Sequence, residues 1–512
     1  MLLDELVPTL RQYWPALLGL AAVLYLLSNK FHNGLNKYPG PLLAAYTDWW
    51  RLFTVWSWRV EFTHIALHRK RGDIVRLGPN SLSFGNPQAI KQIYGLNKGF
   101  VKSEFYPVQQ AMDKDGARLQ SLFSTTWEDY HARYRRCVNG AFSMSSLVSY
   151  EPLMDSTMDY FLDRTQKLFA DTGRTCDFTR WLQFFAFDVV GEFTWSKRLG
   201  FLEKNDDVDG IIDFLANFFS YAALVGQIPF FDVLLNKNPI KRYMMKLGFY
   251  KKVFPVTLFA LSRADERADE MAKIREYGLP EKTLAGDNGR GVDLMTKFTQ
   301  AQHDHPDVMT DKQVLTSCTS MVFAGSDTTA ISLSSTFYFM LRHPRVLRKL
   351  YAEIDQAVRD GVIADRPNGA VSWSESQRLR YLDAVIQESF RMHPAVGLPL
   401  ERIVPPQGVE ICGEHIPGGT IVGVSPWVIH RRADVFGANP DEYRPERWLE
   451  VGPEKLKEMK GCMLQFGAGS RTCIGKNISL LELYKLVPSV LRRFEVSPNF
   501  FRRTCFGLGE AL

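Results

Sequence analysis

The chain has 512 residues, 46% hydrophobic and 23% charged, an ordinary globular composition long enough to bury a large core. Its net charge of +6 comes from 62 basic and 56 acidic residues that are scattered rather than striped, which argues against nucleic acid as a partner. The seven cysteines, at 137, 176, 318, 412, 462, 473 and 505, are odd in number and irregularly spaced, which argues against a disulfide framework and for a reducing compartment.

Residues 13–27 carry no charge and are apolar all round, unlike an amphipathic core helix. At about 1.5 Å per residue they span roughly 23 Å, and Leu10, Ser28 and Phe31 extend the run toward a bilayer's width. Leu26-Leu27-Ser28 is a poor cleavage site, so an uncleaved anchor is expected rather than a signal peptide. Lys30, Lys37 and Arg51 follow the run and place the main body on the cytosolic side. Tyr38-Pro39-Gly40-Pro41 reads as a stiff elbow. The expected division is an anchor over residues 1–30, a linker with a proline-rich hinge over 31–59, and one catalytic unit over 60–512.

His64 and His68 stand at helical spacing but lack a third metal ligand. Further on, Trp127-x-x-x-His131 and His131-x-x-x-Arg135 each span one helical turn. Arg133 and Arg136 beside them, with Lys476, form either a solvated charge run or a face for an electron donor. Gly286-Asp287-Asn288-Gly289-Arg290-Gly291 has no strand before it and is not a dinucleotide fingerprint.

Thr310-Asp311-Lys312-Gln313 has the form of a capping box, and no proline follows until Pro344. The spacing predicts a helix of about 31 residues and roughly 45 Å. Ala324-Gly325-Ser326-Asp327-Thr328-Thr329 lies in its middle, where polar groups are costly unless solvated or used. Ala324 and Gly325 remove bulk and would leave room for dioxygen; Thr328 can donate a hydrogen bond to it, and Asp327 can relay protons from water.

Glu388 and Arg391, at i and i+3, share a helix face, and Arg447 lies in a proline-rich stretch. A buried network of such charges is scaffold, not chemistry. Near the end comes Phe466-Gly-Ala-Gly469-Ser-Arg471-Thr-Cys473-Ile-Gly475, before an apolar-periodic helix from Ile474 to Phe494. A match at its constrained positions arises by chance roughly once in a few thousand such chains. Cys473, at a helix N-terminus, offers a stabilised thiolate. Gly469 and Gly475 would let the backbone turn tightly against a flat macrocycle. Arg471 supplies a cation for a haem propionate, and Phe466 would shield the sulfur. Asn477-Ile478-Ser479 reads as a coincidental glycosylation triplet.

These residues resemble the haem-binding signature of the cytochrome P-450 family, and the resemblance extends over residues 38 to about 500. It implies a mainly α fold with small β-sheets, a triangular helical prism whose long central helix lies over the haem, plus the N-terminal transmembrane anchor. It implies haem b with Cys473 as axial thiolate. Arg402 is similar to a propionate-binding arginine, and counting back from Phe142-Ser143 favours His131 with Arg135 as a further propionate pair, with His where the family usually has Trp. The substrate cavity would be walled by Phe105, Phe323, Val396, Leu398 and Leu400, an apolar lining that fits a lipophilic molecule.

Phe100-Val-Lys102-Ser-Glu-Phe105-Tyr106 and Arg391 to Arg402 resemble the pisatin demethylase-like branch of fungal members. That likeness implies NADPH-cytochrome P-450 reductase carrying FAD and FMN as electron donor, with cytochrome b5 as a second donor, in the endoplasmic reticulum membrane. The expected activity is a monooxygenase in secondary metabolism; detoxification of a xenobiotic or phytoalexin is the alternative. Hydroxylation, epoxidation, dealkylation and ring rearrangement stay open. An isomerase or peroxide-consuming enzyme of the same fold needs no proton relay, and a non-catalytic haem- or lipid-binding protein is the third possibility.

Overall fold

The structure is a computed structural model that describes residues 2–112, 116–249, 255–276, 293–366 and 369–497. The Gly286–Gly291 run and Cys505 lie outside the described residues. The fold is mainly α with two small sheets, as expected.

The central helix runs from Asp311 to Arg342, 32 residues and about 48 Å. It stops because Pro344 disfavours helical backbone at His343, which sits at φ −123, ψ 76. The capping box is not formed: Thr310 is the N-cap, but its hydroxyl is spent on the Gln313 side-chain carbonyl instead of a backbone N–H. The helix packs most extensively against Phe178–Trp195, and also against Arg380–Met392 and Lys476–Arg493. These four elements hold about half of the larger core, rich in aromatic residues such as Phe185, Phe187, Phe193 and Phe337.

The main sheet has the order β1-β2-β7-β4-β3, with β1 Ile74–Gly78, β2 Ser81–Phe84, β3 Val101–Lys102, β4 Arg402–Ile403 and β7 Ile421–Val424. β2 and β7 run parallel, and the other neighbours antiparallel. β5 Val409–Ile411 and β6 Glu414–Ile416 form a separate hairpin. Its turn, Cys412-Gly413, has φ of 53 and 80, the left-handed pair that tight hairpins require.

The N-terminal helix Leu2–Phe31 carries the apolar run, and the stretch Tyr13–Lys37 is long and apolar enough to cross a membrane. Val208–Val225 passes the same test, but Ile211, Leu215, Ala222 and Val225 are buried within the body. The segment after this helix, expected to be a stiff proline-rich elbow, is held against the body. Arg76 donates to the carbonyls of Asn29 and Lys30, both at 2.7 Å, and its own N–H donates to Pro39. Leu35 and Ala44 are fully buried, so residues 31–59 are docked on the first sheet.

Candidate active site

The cysteine loop is held from three sides. Within it, the Cys473 N–H donates to Phe466 O at 2.8 Å, and Thr472 N–H to Gly469 O at 3.1 Å. Beneath it, Leu464 N–H donates to His430 Nε2 at 2.8 Å. That bond makes Nε2 the acceptor, so Nδ1 carries the proton and donates to Arg391 O at 3.2 Å. On its third side, Arg135 donates to Thr472 O at 2.7 Å and Asn477 to Phe142 O at 2.9 Å. Asn477 is therefore a structural donor, consistent with its triplet being coincidental.

Gly469 has φ +69, and a Cβ there would stand 1.7 Å from the carbonyl oxygen of Tyr94, so the absent side chain admits that backbone. Gly475 has ordinary φ, −81, and a Cβ would meet only the Cys473 sulfur at 4.0 Å. The following helix starts at Lys476, two residues later than predicted, with Gly475 as N-cap.

Cys473 is exposed, yet its thiol is closely surrounded by protein. Burial pushes its thiol pKa up, while the N–H groups of Gly475 and Lys476 and the charge of Arg135 pull it back. Phe466 packs edge-on against Phe390 with centroids 5.3 Å apart, and the exposed Lys476 sits over its ring.

In the central helix, Ala324 and Thr328 are the exposed positions between Met321 and Ala330. They are four residues apart and share one face. The Thr328 hydroxyl donates back to Ala324 O at 2.7 Å, and Ser326 to Val322 O at 2.8 Å, the local loosening expected of such residues. Gly325 does not widen this opening. A Cβ on it would meet Val190 Cγ2 at 2.9 Å, so its missing side chain admits the Phe178–Trp195 helix. Asp327 accepts a 2.6 Å hydrogen bond from Gln183 Nε2; burial raises its pKa and Gln183 opposes the rise.

Cations collect around His131. Of the two overlapping pairs, Trp127 is 68% exposed at the helix N-cap, whereas His131 is 3% exposed and Arg135 reaches the cysteine loop. Burial and then Arg471, Lys102, Arg135 and Arg402 lower the His131 pKa to about 3, which keeps it neutral. Arg471 is not free: it pairs with Glu128 at 2.7 Å and donates to Leu122 O at 3.3 Å. Arg402 lies on β4 directly opposite Lys102 on β3. Both are buried, 6% and 4% exposed, and both approach the Tyr106 ring, at 6.0 and 4.2 Å. Lys102 donates to Phe123 O; burial, then Arg402 and Arg471, push its pKa well down. Sequence reasoning missed Lys102 as a site residue because only strand pairing brings it to Arg402. It also missed His430 and Gln183.

Glu388 accepts from Arg391 at 2.8 and 2.9 Å, from Arg447 at 2.9 Å, and from Trp448 Nε1 at 2.9 Å, all in the core. Phe105 and Leu398 line one cavity beside His64, Arg51 and Glu401. Phe105 covers Gly226, where a Cβ would stand 2.3 Å from its ring. Phe323 packs edge-on against Phe218 and Phe214, at 5.2 and 6.2 Å. Val396 is exposed, while Leu400 packs against the second core cluster. His68 bonds Gly72 O and Ser83 Oγ, and no metal-binding cluster occurs among the described residues.

The residues present fit a haem: an exposed thiol in a tight loop, a helix face left open at Ala324 and Thr328, and a buried excess of cations suited to propionates. Such a set of residues suits a haem-thiolate protein. The family model for cytochrome P450 matches residues 49–504, and the chain belongs to that family. It is 41% identical to a cytochrome P450 monooxygenase of Aspergillus terreus, over 92% of each chain. It is also 41% identical to cytochrome P450 monooxygenase cicH of Emericella nidulans, over 90% of this chain and 88% of that one. Similarity to cytochrome P450 monooxygenase mpaDE of Penicillium brevicompactum is 34% over 95% of this chain, which spans 56% of that relative. The protein is an oxidoreductase that incorporates oxygen; the family implies a haem iron on a cysteine thiolate, a redox partner and a small-molecule substrate.

Proposed function

We propose that this chain is a membrane-anchored monooxygenase, supplied with electrons from NADPH by a separate diflavin reductase, that oxidises a lipophilic molecule in fungal secondary metabolism. The observation that carries the reading is the exposed Ala324–Thr328 face in the middle of a largely buried helix, with Asp327 beside it. Bound haem with a thiolate ligand supplies the activation of dioxygen. The chain's own residues do the rest. Cys473 Sγ would be the ligand, Phe466 would limit water at the sulfur, and Arg402, Lys102, Arg471 and Arg135 with neutral His131 would hold the propionates. Asp327 carries a proton at its carboxyl and passes it toward Thr328 Oγ1. Phe105 and Leu398, which share one cavity, and Phe323 with Phe214 and Phe218 favour an apolar substrate.

Membrane attachment is supported by more than the N-terminal helix. Trp49, Phe53 and Trp56 are exposed on one short helix, and Phe230, Leu234 and Leu235 on another; Trp49 lies 5.5 Å from Phe231, joining the two. This apolar face is near the docked end of the anchor, where Asn29 donates to Tyr46 O at 2.8 Å. We assign it to the cytosolic side of the endoplasmic reticulum membrane. Exposed Arg133, Arg136 and Lys476 form the face for the reductase or cytochrome b5.

The test is reconstitution of the full chain with NADPH-cytochrome P-450 reductase, type I spectral screening of lipophilic intermediates, and product analysis under labelled dioxygen. One labelled oxygen per product is expected; NADPH-independent or unlabelled product would overturn the reading. Cys473→Ala should abolish the thiolate-shifted Soret band of the reduced carbon monoxide complex, and its retention would remove Cys473 as ligand.

A further inference from the structure

We propose that Gln183, on the helix Phe178–Trp195, is the positioning residue for Asp327, holding the carboxyl that feeds protons to Thr328. The inference rests on the proton-relay reading of Asp327 above.

Gln183 Nε2 stands 2.6 Å from Asp327 Oδ1, and this is the one polar contact of that carboxyl among the described residues. No charged side chain bears on Asp327 from the Phe178–Trp195 helix or from any other described element. The choice of partner has a chemical consequence. A guanidinium or ammonium at that distance would lock the carboxyl in its ionised form, and an apolar neighbour would leave it unoriented. A neutral amide fixes one oxygen by donating an N–H, yet leaves the group able to take up and release a proton.

The amide is itself held in place. The two helices make the most extensive contact in the molecule, closed by Val190 against Gly325, where a Cβ would stand at 2.9 Å. Two residues before Gln183, buried Trp181 is fixed by a 2.7 Å bond from Nε1 to Thr165 Oγ1. Gln183 is only half-buried, and its Oε1 accepts no protein hydrogen bond among the described residues, so water can reach the pair from the outer side.

The test uses the full-length holoenzyme with diflavin reductase, measuring NADPH-driven oxygen reduction without added substrate across a pH series, in ordinary and heavy water. Gln183→Met keeps the volume and removes the donor. It is expected to slow the reaction about three- to tenfold, to enlarge the solvent isotope effect, and to move the pH limb upward, since the lost N–H favoured the ionised carboxyl. Haem content and the carbon monoxide spectrum should stay unchanged. In an Asp327→Asn background the same replacement should add nothing. Wild-type kinetics and pH profile in Gln183→Met, or an equal slowing in the Asp327→Asn background, would overturn the assignment. An Asp327→Asn enzyme identical to wild type would remove the relay reading itself, and this inference with it.

Discussion

Lys102 and Arg402 face each other across β3 and β4, two buried cations paired residue to residue. Like charges directly opposite destabilise a sheet. Their neighbours add Arg471 to the same region, and Glu128 is the carboxylate that acts on Lys102. A site built this way is completed by an anionic ligand.

Lys102→Met should therefore have effects of opposite sign with and without haem. The apoprotein should gain about 1 kcal/mol from relief of the cation pair. Haem transfer to apomyoglobin should accelerate about tenfold, as expected for losing a charge-assisted hydrogen bond. Denaturant midpoints of the apoprotein and the transfer rate check the two halves.

The pH dependence follows from the same residue. The native Lys102 ammonium binds its proton more weakly than the unfolded one, which titrates near 10.5. Between the depressed native value and 10.5 the unfolded chain holds more protons, so apoprotein stability should rise with pH across that window. Below the native value the contribution is flat. Unfolding midpoints measured against pH should lose this slope in Lys102→Met.

Gly325 separates packing from oxygen access. Alanine is favoured over glycine in a helix by about 1 kcal/mol, but here its methyl meets Val190 Cγ2 at 2.9 Å. Overpacking of that kind costs about 1–3 kcal/mol. Gly325→Ala should destabilise the protein, whereas Gly325→Ala in a Val190→Ala background should stabilise it, as read by thermal unfolding.

Glu388 satisfies Arg391, Arg447 and Trp448 together, with no exposure to water. Glu388→Ala strands two buried guanidinium groups and should cost about 3–5 kcal/mol. The expected readout is loss of folded, haem-containing protein at growth temperature, with Glu388→Gln less severe.

Much of the site was legible where chemistry is local. The cysteine loop is contiguous, and the limits of the central helix are written by Thr310 and by Pro344. Glu388 and Arg391 stand one turn apart on a single helix. The packing partners of Gly325 and Gly469 were not legible in the same way, because they depend on what approaches each glycine. For Gly325 that is Val190, and for Gly469 it is the Tyr94 carbonyl. The proline-rich segment after the anchor looked like a hinge for a related reason: its docking depends on Arg76, which belongs to β1.

By itself the sequence determined the family, the cysteine loop and the extent of the central helix, since each is encoded by neighbouring residues whose spacing is read directly. Only the tertiary structure decided which cations share a site, which side chain holds Asp327, and that Arg471 is already paired with Glu128. Those contacts join residues more than a hundred positions apart through sheet pairing and helix crossing, for which no periodicity or motif in the chain exists.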